Sequence, residues 1–203
     1  MSGRPLVLAA AHAVLLILVL PQNASAERVF TVFFGATPRA ESGFLDLAGA
    51  AGATKPTWGV SVGRVGDVMG WELDASALPG FFSSQTPALE LVSGSQASTF
   101  MLNGVVSVPR RWTGPRLRPY GAAGGGLIKA RIDDIAGLFP TDVMLTGFDV
   151  GGGVFVLPWR HGGIRGDARY YRSERKEARE ATLGFGPAFL DFWRVSGGGV
   201  LRF

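Results

Sequence analysis

The sequence predicts an all-β chain, an eight-stranded antiparallel up-and-down transmembrane β-barrel that follows a cleaved N-terminal signal peptide. Three observations lead there. The 203 residues hold one long apolar run, and it stands at the N-terminus. Behind it come eight short stretches in which apolar and polar residues alternate, the period of a strand with two unlike faces. The connections between those stretches alternate between long and short, as in barrels whose two ends face different compartments.

Composition narrows the function classes. Hydrophobic residues make 47%, charged residues 18%, and 30 residues are Gly, which is unusual for a water-soluble domain of this size. The chain has no Cys, so disulfides, thiolate metal sites and Cys nucleophiles are excluded. Two His exclude a His-rich metal cluster, and neither a metal nor a cofactor is expected. The formal charge of +4 is carried mainly by scattered Arg, so no nucleic-acid partner is expected.

The N-terminal run reads as an export signal. Arg4 supplies the positive start, Leu6 to Leu20 is apolar apart from His12, Pro21 breaks the run, and Ala24-Ser25-Ala26 matches a small-x-small cleavage site. The run is shorter than the about 20 residues a spanning helix needs. Residues 1–26 are therefore expected to be a signal peptide, and residues 27–203 the barrel domain.

The predicted strands follow in order. Val29–Thr37 places Phe30, Val32 and Phe34 on one face, and Thr57–Val65 does the same with Trp58, Val60 and Val62. Gly70–Ala77 sets Trp71, Leu73 and Ala75 against Glu72, Asp74 and Ser76. Thr99–Val108 sets Phe100, Leu102 and Val106 against Thr99, Asn103 and Ser107. Leu117–Lys129 is rich in Gly and Ala. Thr146–Leu157 puts Phe148, Val150, Val154 and Val156 on one face, with Val154 read as a mid-strand position. Ile164–Arg172 sets Ile164, Ala168 and Tyr170 against Arg165, Asp167 and Arg169. Phe192–Phe203 sets Trp193, Val195, Leu201 and Phe203 against Arg194, Ser196 and Arg202.

The connections and the aromatics favour a membrane barrel over a soluble one. Long connections run Pro38–Pro56, Leu78–Ser98, Ala130–Leu145 and Ser173–Asp191. Short ones run Gly66–Met69, Pro109–Arg116 and Pro158–Gly163. Trp58, Trp71, Tyr120, Tyr170, Trp193 and Phe203 stand near strand ends, where interfacial girdles are expected. A closed barrel also satisfies every backbone group without water, which an open sheet in lipid cannot do.

These residues resemble a known family. Pro119-Tyr120-Gly121-Ala122-Ala123-Gly124-Gly125-Gly126, Gly163-Ile164-Arg165-Gly166-Asp167-Ala168-Arg169-Tyr170-Tyr171 and the terminal Leu201-Arg202-Phe203 are similar, in order, to strands of small OmpA/OmpX-type outer-membrane barrels. The resemblance implies residence in the outer membrane, with its lipids and lipopolysaccharide as surroundings. It also implies that Phe203 belongs to the signal read by the outer-membrane assembly machinery. The sequence shows no peptidoglycan-binding domain after the barrel, a departure from part of that family, so a cell-wall tether is not expected.

With Phe203 taken as lipid-facing, alternation sends four acids (Glu72, Asp74, Asp149, Asp167) and four Arg (Arg165, Arg169, Arg194, Arg202) into the lumen. An eight-stranded barrel is just wide enough to be filled by side chains. The expectation is a plug of ion pairs, with a narrow charged channel as the alternative. The triplets Gly124–Gly126, Gly151–Gly153 and Gly197–Gly199 lie inside strands with no helix following, so they read as bends, bulges or close approaches rather than phosphate loops. The first two triplets are expected to mirror each other about a loop tip at Leu138–Phe139.

Catalysis is not expected. A lipid A-modifying barrel would need a Ser–His pair near the outer leaflet. His161, the only His after the signal segment, sits in a short turn at the opposite end. A soluble lipocalin-like carrier would turn its apolar faces inward. Any specific activity then falls to the long loops. Those carry Phe81, Phe82, Leu89, Leu91 and Val92, the mixed-charge run Ser173–Glu180, and Phe185, Phe189, Leu190 and Phe192. They suit an unnamed surface ligand or packing over the barrel mouth.

Overall fold

Alternation along the chain becomes strand pairing in space. The computed structural model describes residues 26–38, 40–42, 54–80, 92–134, 141–174 and 190–203. The strands are β1 (Glu27–Thr37), β2 (Ala40–Ser42), β3 (Lys55–Val65), β4 (Met69–Pro79), β5 (Val92–Ser107), β6 (Leu117–Asp134), β7 (Thr141–Val156), β8 (Gly162–Ser173) and β9 (Leu190–Arg202). Each pairs antiparallel with the next, except that β2 is skipped and instead adds three residues to the upper edge of β9. β1 pairs with both β3 and β9, so the eight long strands close into a barrel.

The register sets the barrel's width. One circuit from Trp193 through Tyr170, Val150, Ala123, Gly104, Trp71, Arg64 and Arg28 arrives at Phe203, ten residues further along the same strand. A stagger of that size with eight strands tilts them by about 40° and leaves an interior that side chains can fill.

The three short turns stand at one end. One holds α1 (Arg110–Thr113), a single helical turn closed by Gly114 at φ 79°. Both chain ends of the barrel also lie there, with Arg28 and Phe203 exchanging backbone hydrogen bonds at 3.1 Å. At the opposite end β5, β6 and β7 run on, at 16, 18 and 16 residues. A membrane strand needs only about 9–11, so these three carry the wall well past the apolar band.

Outward positions are apolar through the middle of the barrel. On β1 from Phe30 to Ala36, on β3 from Pro56 to Val62 and on β9 from Trp193 to Leu201, no outward residue is charged. Arg28 and Arg64 close the band at the short-turn end; Lys129, Arg131, Arg172 and Asp191 close it at the other. This is the reverse of a carrier, whose apolar faces would point inward.

Four expectations change. Tyr120 is not a girdle residue; it is 6% exposed and points into the lumen. Strand β6 has small residues on both faces, so its alternation does not reveal which face is which. Val154 is not mid-strand but lies two residues from the short-turn end of β7. The glycine triplets are not bulged, since the registers of β6–β7 and β8–β9 run through them unbroken. Nor do the first two oppose each other, because Gly124–Gly126 face Asp149, Phe148 and Gly147. The predicted loop tip Leu138–Phe139, the expected signal peptide up to Ser25, and the expected loop residues Phe81, Phe82, Leu89, Leu91, Arg175–Glu180, Phe185 and Phe189 lie outside the described residues.

Candidate functional site in the barrel lumen

Alternate residues of every strand point inward, and they sort by height into three layers. Toward the long-connection end, Leu78, Met101, Ile128, Leu145, Leu190 and Phe192 form an apolar layer with Tyr171. Toward the short-turn end, Val29, Val65, Val105, Phe155, Leu157 and Val200 form another with Tyr120. Leu190 and Phe192 are thus lumen residues, not exposed loop residues. Between the two layers lies the charge.

Glu72 and Asp74 come from β4, Asp149 from β7, Arg165, Asp167 and Arg169 from β8, and Arg194 from β9, all 7% exposed or less. Glu72 binds both Arg165 and Arg169. Asp74 takes both amino groups of Arg194, at 2.8 and 2.9 Å, the planar two-point match that guanidinium makes with carboxylate. Asp167 accepts from Arg169 Nε at 2.9 Å and from Arg165 Nη2 at 3.2 Å. Asp149 holds Arg169 Nη1 at 3.3 Å. Arg169, fully buried, therefore hydrogen-bonds to three carboxylates and stands 4.0 Å from a fourth, Asp74.

Neutral groups complete the layer. Arg165 Nε donates to Tyr120 Oη at 2.6 Å, and Tyr120 in turn donates to Asp167. Ser61 Oγ donates to Glu72 at 3.2 Å and accepts from Arg165 at 3.1 Å. The guanidiniums also lie over aromatic faces: Arg165 over Tyr120 and Phe155 at 4.9 and 5.0 Å, Arg194 over Phe33 and Tyr171 at 4.5 and 5.1 Å. The gap lined by Phe33, Asp74, Arg165, Asp167, Arg194 and Ser196 leaves no room for a water molecule. Asp149 Oδ1 has no hydrogen-bond partner, nor has the Asn103 amide across Gly124.

Inward glycines make this density possible. A Cβ on Gly151 would stand 2.8 Å from Arg169 Cγ, one on Gly126 2.9 Å from Met101 Sδ, and one on Gly153 2.8 Å from Tyr120 Oη. The inward members of the triplets are therefore sites of close approach, where the wall thins so that long Arg and Tyr side chains can cross the lumen.

Arg202 does not join this layer. It sits at the short-turn rim, where it reaches Glu27 at 3.4 Å and donates to the carbonyls of Arg160 and Trp159 at 3.0 and 3.3 Å. Its inward register position lies below the lower apolar layer, where the side chain meets solvent. Glu27 also takes Arg110 at 2.8 Å and the buried Arg118 at 3.7 Å. Arg118, which further donates to the Gly66 carbonyl, was not among the expected lumen residues. It shares alternation with Tyr120, so the parity error on β6 hid both. Without Arg202 the middle layer holds four carboxylates and three guanidiniums. Phe203 ends the chain with its side chain outside, 69% exposed.

Among the described residues no group of three His, Asp or Glu is placed to hold a metal. His161 is exposed in the β7–β8 turn, and its carbonyl accepts from Arg202 N at 2.9 Å.

No family model and no curated protein sequence matches the chain. Solved structures do. Neisserial surface protein A has a TM-score of 0.62 at 15% identity, with 88% of this chain and 99% of that chain covered. OprG from Pseudomonas aeruginosa has 0.57 at 14%, covering 88% and 96%. The N-terminal β-barrel domain of Pseudomonas aeruginosa OprF has 0.51 at 15%, covering 88% and 98%. With its closed register, apolar outer band and charged interior, the chain has the fold of the small eight-stranded outer-membrane β-barrels.

Proposed function

We propose that this chain is an integral outer-membrane barrel whose role is structural or lies in surface contact at its long-connection end, without catalysis or steady conduction. One observation carries the reading: the lumen is filled at three successive heights, apolar, charged and apolar again. An ion crossing the barrel would have to displace both apolar layers and strip Arg169 from its carboxylates. The elevated wall of β5 to β7 supports surface contact, because these strands run on beyond the length that lipid requires. Lipids and lipopolysaccharide are the surroundings that its outer band suits, and Phe203 is the residue offered to the assembly machinery.

Conductance of the refolded barrel in planar bilayers tests the plug. The expected record shows no steady, wide channel; a stable open level would overturn the reading. Deletion of Phe203 tests assembly, with loss of heat-modifiable, folded barrel from the outer membrane as the expected result. Normal levels of folded barrel would remove Phe203 from that role.

A further inference from the structure

The outer wall has a groove that the lumen reading does not use. It measures about 400 Å³ and runs between β1, β9 and the start of β8, near the short-turn end. Phe30, Val32 and Leu201 form its sides, Gly162 and Gly199 its floor, and Trp159 closes it toward the short turns. The floor is open by construction, since a Cβ on Gly199 would meet nothing within 4 Å. Trp159 is held in place from behind, because Arg202 donates to its carbonyl and to that of Arg160.

The groove's mouth is basic. Arg28 follows Phe30 on the same outward face of β1, two residues closer to the end, and Arg160 follows Trp159 in the turn. Both are exposed and neither makes an ion pair among the described residues. The surrounding rim is Arg-rich as well: Arg64, Arg110, Arg111 and Arg116 stand there against the acids Glu27 and Asp67. The exposed indoles of Trp112 and Trp159 mark this level as the membrane–water boundary.

An apolar slot that opens upward into hydrocarbon, with a Trp at its foot and two free guanidiniums at the boundary, matches one ligand chemistry. We infer that the groove binds an anionic diacyl phospholipid, one acyl chain along Phe30, Val32 and Leu201 over Gly199, its phosphate at the mouth in reach of Arg28 and Arg160, which flank the exposed Phe203. Guanidinium suits phosphate through paired N–H donors, and burying the chain against the wall fills space that solvent-like lipid would leave poorly packed. The inference rests on the outer-membrane reading above, and the test separates the two.

The full barrel is refolded into phosphatidylcholine vesicles with and without phosphatidylglycerol of the same chain length, and its urea midpoint is measured. Native mass spectrometry of the detergent-extracted barrel counts retained lipid. The expected result is one phosphatidylglycerol per barrel and a higher midpoint in the mixed vesicles. Arg28→Gln and Arg160→Gln each weaken retention about tenfold, the order of one lost charge-assisted contact. Gly199→Leu, which occupies the floor without a backbone clash, abolishes retention while the barrel keeps its heat-modifiable mobility. Inorganic phosphate at equal concentration leaves the midpoint unchanged. Insertion with equal midpoints in both vesicles, or equal retention by Gly199→Leu, overturns the inference and leaves the outer-membrane reading standing. A shift reproduced by inorganic phosphate assigns the Arg pair to free anions and overturns the lipid. Failure to insert into either vesicle overturns both readings.

Discussion

Two regions of the barrel hold Arg beside carboxylate, and they differ in what that contact is worth. In the middle of the lumen Arg169 is fully buried among Glu72, Asp149 and Asp167. At the short-turn rim Arg202 and Arg110 share Glu27 in reach of solvent. Water can replace a lost partner at the rim; nothing can in the middle, where apolar layers seal both sides. The same residue types therefore act as core in one place and as surface in the other.

The largest test of that difference is Arg169→Leu. It leaves Asp149 without an ion-pair partner and takes one guanidinium from Glu72 and from Asp167, which keep Arg165, and breaking a buried pair typically costs about 3–5 kcal/mol. Urea titration of the refolded barrel in vesicles should show a loss in that range. A loss under about 1 kcal/mol, the range of exposed pairs, would mean that the middle layer is wet.

The outer wall at the same height sharpens the contrast, because charge there has no partner at all. Val60 lies mid-band on β3, between Trp58 above and Arg64 below on the same face. Val60→Arg should cost about 2–4 kcal/mol, the penalty near the bilayer midplane. Val60→Leu should be close to neutral in the same titration. Equal stability of the two variants would deny that this face meets lipid.

Glycines give a smaller, paired test of inside against outside. Gly151→Ala puts a methyl into the Ala168 carbonyl oxygen and 2.8 Å from Arg169 Cγ, so the neighbouring strand must shift, and overpacking of that kind costs about 1–3 kcal/mol. Gly166→Ala, outward with nothing within 4 Å of the new carbon, should be neutral or stabilising by up to about 1 kcal/mol. Thermal unfolding followed by gel mobility would rank the two; the opposite order would contradict the lumen packing.

The smallest effect belongs to the rim. Arg202→Ala removes one exposed pair and two carbonyl contacts, so its stability loss should stay within about 0–1 kcal/mol. A loss matching that of Arg169→Leu would join the rim to the core.

Much of the barrel was legible because a strand has period two and lipid rejects charge. Those two facts alone place Phe30, Val32 and Phe34 outside and Arg165, Asp167 and Arg169 inside. They fail where a strand offers no contrast between its faces, as on β6, and this misplaced Tyr120 and missed Arg118. They also say nothing of height. Arg194 and Arg202 share a strand and a face, yet one pairs with Asp74 in the sealed layer and the other lies in the rim.

The sequence by itself determined the strand count, the closed topology and the sidedness of most residues, since alternation and turn spacing are local properties of the chain. Only the tertiary structure decided which charges meet. Partners such as Arg194 and Asp74 are 120 residues apart and face each other solely through the stagger of the closed sheet. The two apolar layers above and below them arise in the same way. No single strand spells them out, because each layer takes one or two residues from each of several strands, brought to a common height by closure and tilt.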